Sequence, residues 1–189
     1  MYILNIIFAL LLGHRVHAQV CPEGWTGSAG KCYQLTTMPA EDWIYAEDDC
    51  RALRPNALLA SFSNDVEAQT VIASSCAGQG ELSTQFWTGL NDIDREAFNN
   101  RSCCWTFSNG EDPTYIRSQG QKWWASNQPN NRLNSEDCVA VINGALDDKA
   151  CTLPLQACCA YVPSPSPSAS ITPSITSSPS ITPTQTSSS

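Results

Sequence analysis

Three short stretches of the sequence crowd together carboxylates and carboxamides: Gln128-Pro129-Asn130-Asn131, Glu136-Asp137 and Asp147-Asp148. Calcium, a hard cation, takes about six to eight oxygen ligands and accepts carboxylates, amide carbonyls and water together. Pro129 restricts the backbone between Gln128 and Asn130, and a cis bond there would tighten the turn that aims its two neighbours at one point. Glu136 and Asp137 are adjacent, so extended backbone sends them to opposite sides, where they could serve two ions. By composition alone, an acidic surface loop is more often simply solvated.

Other chemistry is excluded more sharply. Both histidines, His14 and His17, fall in an N-terminal segment with an apolar run from Ile3 to Leu12 and small residues at Val16 and Ala18. This segment reads as a signal peptide over 1–18, cleaved before Gln19. Its apolar run is shorter than the roughly 20 residues that span a bilayer, although an uncleaved anchor is the alternative. A mature chain without imidazole has no Ser-His or Cys-His nucleophile pair and no histidine zinc site. Carboxylate-only catalysis, as in a glycosidase, is left in principle, but the acids here cluster as a shell rather than as an isolated pair. Asp and Glu number 18 against 10 Lys and Arg, a net charge of −8. Nucleic acid and anionic membranes are poor partners for such a chain.

All 10 cysteines lie between Cys21 and Cys159. An even count in a secreted chain argues for disulfides, and no paired C-x-x-C knuckles favour zinc. One domain over 19–162 has the length for a core of its own. From 163 to 189 the sequence is mostly Ser, Thr and Pro with a little Ile and no charge, so it reads as disordered, either an O-glycosylated stalk or a passive spacer.

The elements that must position the acidic clusters are short. Glu41 to Leu53 repeats Trp43, Ala46, Cys50 and Leu53 on one helical face. A second helix is expected from about Asn64 to Ser74, with Asn64 and Glu67 as a capping box. Phe86–Leu90, Cys138–Ile142 and Ala157–Val162 read as strands. The polar segment between Asn109 and Asp137 reads as a long functional loop.

In order along the chain stand Cys21-Pro22-x-Gly24-Trp25, Cys32-Tyr33, Trp43-x-x-Ala46-x-x-x-Cys50, Leu59-Ala60-Ser61 and Phe86-Trp87-Thr88-Gly89-Leu90-Asn91-Asp92. They continue with Trp105, Trp124, Gln128, Glu136-Asp137-Cys138-Val139, Asp147-Asp148-x-x-Cys151 and Cys159. Over almost the whole of Cys21 to Cys159 this resembles the C-type lectin-like domain. The resemblance implies an α+β, disulfide-rich fold, with two helices flanking antiparallel sheets and a long calcium-binding loop region. It implies bridges Cys21–Cys32, Cys50–Cys159 and Cys138–Cys151, with Cys158 as an alternative to Cys159.

The resemblance also assigns ligands. Gln128, Asn130, Glu136, Asp147 and Asp148 would hold a primary Ca2+, and Gln128, Asn130, Glu136 and Asp147 would also meet the sugar. Asp92, Glu96, Asn131, Glu136 and Asp137 would hold an auxiliary Ca2+. The family's Glu-Pro-Asn goes with mannose-type and Gln-Pro-Asp with galactose-type sugars, and Gln128-Pro129-Asn130 is a hybrid. Leu146 replaces a family Trp, and Asp147 adds a carboxylate where Gln128 removes one. Trp124 matches a core position. The function implied is calcium-dependent binding of glycans on cell surfaces or glycoproteins, without catalysis and without membrane insertion. A calcium-independent protein-binding or adhesion role, or an ice-binding one, is the alternative on the same scaffold.

Cys76, Cys103, Cys104 and Cys158 exceed that framework, and four cysteines allow three connectivities. Adjacent Cys103 and Cys104 are expected to find different partners, one of them Cys158; a free thiol or an intermolecular bridge is the alternative. Asn100-Arg101-Ser102 is an N-glycosylation sequon.

Overall fold

A computed structural model describes residues 21–74, 76 and 85–164. The expected signal peptide and the Ser/Thr/Pro tail beyond Ser164 lie outside the described residues. The chain forms β1 (Thr26–Ser28), β2 (Lys31–Leu35), α1 (Trp43–Leu53), β3 (Leu58–Leu59) and α2 (Asp65–Gln69). There follow β4 (Phe86–Asn91), β5 (Thr106–Phe107), α3 (Thr114–Ser118), β6 (Cys138–Ile142), β7 (Ala145–Lys149) and β8 (Gln156–Tyr161).

Local chemistry sets where the helices begin. The Asp42 carboxylate accepts the Tyr45 N–H at 2.9 Å, so α1 starts at Trp43 rather than Glu41. Trp43, Ala46 and Cys50 are buried as the periodicity implies, but Leu53 is 44% exposed, because α1 ends there and the chain turns away. Asn64 caps α2 by accepting the Glu67 N–H at 3.0 Å, while the Glu67 carboxylate reaches back to the Ser63 N–H at 2.9 Å. The helix then widens into a π-helical turn over Thr70–Ser74.

The strands order as β1-β2-β8-β4-β6-β7, with β3 added to β8 and β5 to β4. Most neighbours are antiparallel, but β4 runs parallel to β8, pairing Phe86 with Gln156 and Trp87 with Ala157. The sheet is therefore mostly antiparallel with one parallel pair, because a long excursion rather than a hairpin separates these two strands, and the α+β, disulfide-rich expectation holds. Side chains alternate across β8: Ala157, Cys159 and Tyr161 join the apolar cluster on α1, and Cys158 and Ala160 join the cluster around Phe62, Trp105 and Ile116.

That alternation decides the disulfides. Cys159 pairs with Cys50 on α1, and Cys158, facing the other way, pairs with Cys76 after the π-helical turn. Cys21–Cys32 and Cys138–Cys151 are also formed. The expectation that Cys103 and Cys104 take different partners, one of them Cys158, is corrected: they pair with each other. The face of β8 that carries Cys158 looks toward Cys76, which leaves the adjacent pair no other cysteine among the described residues.

Candidate functional site

The Asn109–Asp137 loop contains local structure of its own: α3, a 3-10 turn over Gly120–Trp123 and another over Arg132–Asn134. Trp124 anchors it. Its ring is 6% exposed and packs on Trp105 at a centroid distance of 4.9 Å. Leu146 is fully buried, and its carbonyl accepts the Ala125 N–H at 2.9 Å. Loop and β7 are thereby joined just before Gln128.

The Gln128–Pro129 bond is cis. Beyond it, the backbone N–H groups of Asn130 and Asn131 both donate to the Asp148 carboxylate, at 2.9 and 2.6 Å. Asp148 is fully buried on the inner face of β7, and burial raises its pKa above the ordinary carboxylate value, partly offset by these N–H donors. Asp147 alternates to the outer face, where Gln128 Nε2 donates to its Oδ1 at 2.6 Å. Asn130 Nδ2 in turn donates to Gln128 Oε1. The Glu136 carboxylate accepts the Arg132 N–H at 2.9 Å, and the Glu136 N–H donates to Asn131 Oδ1 at 3.3 Å.

Sequence reasoning missed one member of this group. Lys149 Nζ lies 2.8 Å from Asp147 Oδ1. Two residues apart on one strand, they share a face, so the alternation of β7 carried the signal. The carboxylate that Asp147 adds is thus already partnered by an ammonium group.

Beside this group, Asn131 Nδ2 donates to Glu96 Oε2 at 2.8 Å, and the Asp92 N–H donates to the Asp137 carbonyl at 3.0 Å. Asp92 is 2% exposed; its Oδ2 accepts the Ala97 N–H at 2.6 Å. Asp92 Oδ1 and Asp137 Oδ1 are buried and have no hydrogen-bond donor. Burial pushes the Asp92 pKa up to about 6, and the nearby charges of Glu96, Asp137 and Asp148 push the same way. Buried carboxylate oxygens without donors, amid like charges, are what a divalent cation with oxygen affinity relieves. Among the described residues no three carboxylates converge as a closed cluster. The donors are instead carboxylates interleaved with the amides of Gln128, Asn130 and Asn131, a mixture that suits calcium.

The Gln128–Asn130 turn also forms one wall of an open groove of about 670 Å³, whose other wall is the Asn99–Ser102 loop with Gln121 and Asn127. Arg101 ties the two walls together. Its Nε donates to the Gln128 carbonyl, and its Nη2 donates to the Ala125 carbonyl at 3.1 Å. Asn100, the sequon asparagine, is exposed in this groove, with its Oδ1 accepting the Ser102 N–H at 2.9 Å.

A family model described as the lectin C-type domain matches residues 39–161. The chain is 28% identical over 134 residues to C-type lectin BML-2 of Bungarus multicinctus, covering 70% of this chain and 76% of that protein. To C-type lectin lectoxin-Enh5 of Pseudoferania polylepis it is 31% identical over 119 residues, covering 63% of this chain and 66% of that one. The fold matches the C-type carbohydrate-recognition domain of cow CD23 with a TM-score of 0.59 at 23% identity, covering 77% of this chain and 98% of that chain. With the fold, the bridged framework and the family model in agreement over most of its length, this chain belongs to the C-type lectin domain family.

Proposed function

We propose that this protein is a secreted, calcium-dependent carbohydrate-binding module without catalytic activity. The observation that carries the reading is the convergence of the Gln128–Pro129–Asn130 turn on Asp147 and Asp148, beside the donor-free carboxylate oxygens of Asp92 and Asp137. Gln128, Asn130, Glu136, Asp147 and Asp148 would hold a primary calcium. Asp92, Glu96, Asn131, Glu136 and Asp137 would hold an auxiliary one. A bound calcium supplies open coordination positions that two vicinal sugar hydroxyls can fill.

The chain's own residues do the rest. The amides of Gln128 and Asn130 donate to sugar oxygens, and the carboxylates of Glu136 and Asp147 accept from sugar hydroxyls. Asp148 fixes the turn through two backbone N–H groups, so the amides are held in place before a ligand arrives. Relatives named as C-type lectins support the reading, as does the absence of histidine after position 17.

A glycan array read in calcium and again in chelator tests it. Calcium-dependent signals are expected, and glycan binding that survives the chelator would overturn the calcium part.

A second reading, calcium-independent recognition of protein, draws support from three contacts: Lys149 and the Gln128 amide already partner Asp147, and Asn130 Nδ2 already donates to Gln128 Oε1. A calorimetric calcium titration separates the two, since the second reading predicts no heat up to millimolar calcium.

A further inference from the structure

Resting on the carbohydrate-binding reading, the geometry points to an accessory subsite for an anionic group on the bound glycan, in the groove lined by Arg101. The chain as a whole carries a net charge of −8. The groove breaks that pattern, because Arg101 is the sole charged residue among those that line it. The other lining side chains are amides, a hydroxyl and Pro129, with no carboxylate among them.

Arg101 is half-buried and held in place. Two of its nitrogens donate to the carbonyls of Gln128 and Ala125, which are neutral acceptors, so its positive charge is not cancelled. Its Nη1 has no acceptor among the described residues and remains available to an incoming oxygen. An arginine with its side-chain entropy already spent binds a carboxylate or sulfate with less ordering cost than a free surface lysine. A partly buried guanidinium is also less screened by salt than an exposed one.

Position supplies the specificity. Gln128 and Asn130 belong both to the groove wall and to the proposed primary site. A sugar held at that site would extend its next residue or substituent between the Asn99–Ser102 loop and Asn127. The chemistry recognised is an oxyanion carried by sugar: the carboxylate of a sialic acid or uronic acid, or a sulfate ester. Neutral glycans would still use the primary site but would leave Nη1 unfilled.

The test uses whole protein made with its disulfides in a host that adds no N-glycan, in calcium. Matched neutral, sialylated and sulfated forms of the same mannosides and galactosides are compared on an array and by calorimetry. At least one anionic form is expected to bind roughly tenfold tighter than its neutral parent, the usual margin of a charge-assisted hydrogen bond. Which anion shows the gain tells carboxylate from sulfate. The double variant Asn99→Asp, Asn127→Asp places carboxylates in the groove without touching Arg101 or the primary site. It is expected to abolish the anionic preference and leave neutral binding unchanged. Equal affinity for neutral and anionic forms, or a preference that survives the double variant, would overturn the subsite while leaving calcium-dependent sugar binding intact. Failure to bind any glycan would overturn the underlying reading as well.

Discussion

The buried carboxylate of Asp148 accepts the backbone N–H of Asn131 at 2.6 Å, across 17 residues of sequence, and so latches the tip of the long loop to β7. Replacing it removes acceptors from buried donors as well as a proposed calcium ligand. Asp148→Ala is expected to lose calcium-dependent glycan binding and about 2–3 kcal/mol of stability, the scale of hydrogen bonds to a charged group. Asp148→Asn keeps one acceptor and should lose the binding with a smaller loss of stability. Thermal denaturation in chelator, beside calcium calorimetry, checks both.

Lys149 competes with a cation for Asp147. Lys149→Met keeps the length of the side chain and frees the carboxylate. Calcium affinity is expected to rise by roughly fivefold, about 1 kcal/mol for a partly exposed ion pair. An unchanged or weaker calcium isotherm would show that Asp147 does not contribute to the ion.

Asp92 lies among Glu96, Asp137 and Asp148, with one oxygen lacking a donor. If this is the auxiliary site, Asp92→Asn lowers the calcium stoichiometry from two to one and spares the primary site. In chelator at neutral pH the variant is expected to be no less stable than wild type. A buried carboxylate with its pKa raised to about 6 is ionised there at a cost, which an isosteric amide does not bear.

Asn100 opens into the groove beside Gln128 and Asn130. A glycan attached at the sequon would sit over the proposed sugar site. Protein from a glycosylating host is expected to bind immobilised glycans more weakly than Asn100→Gln protein from the same host, with equal calcium affinity. Intact-mass analysis establishes occupancy, and equal glycan binding by an occupied form would count against the steric argument.

Leu146 is fully buried, and its carbonyl holds the Ala125 N–H just before the Gln128 turn. Leu146→Ala is expected to cost about 2–5 kcal/mol in unfolding experiments. Its bridge partner Trp124 would lose support, and calcium affinity should fall with it.

Much of this was legible before any coordinates. The Asn64 cap and its Glu67 partner mark α2 because both sit in the local chain, and β6 runs over Cys138–Ile142 as its alternation implies. α1 starts two residues after the expected Glu41 because the Asp42 carboxylate caps it, a contact that the apolar periodicity of Trp43, Ala46 and Cys50 does not register. The pairing of Cys103 with Cys104 was misread because cysteine spacing does not report which face of β8 looks where; the alternation of Cys158 and Cys159 decides it. The acidic clusters were visible as composition, yet the Lys149 contact and the Arg101 clamp depend on partners across the fold. Arg101 reaches Gln128 over 27 residues of irregular loop, where no periodicity marks a neighbour.

Cys158 and Cys159, back to back in β8, give the domain a mechanical property. Only Ala160 and Tyr161 separate them from the strand's end. Tension applied through the chain after Val162 can peel two residues before it meets covalent links to Cys50 and Cys76 on opposite faces of the sheet. Load is then shared between α1 and the segment after α2, and hydrogen bonds alone do not carry it. Under such a pull the two bridges keep the strand at the centre of the sheet in place, and with it the β4 and β6 strands that support the loop region.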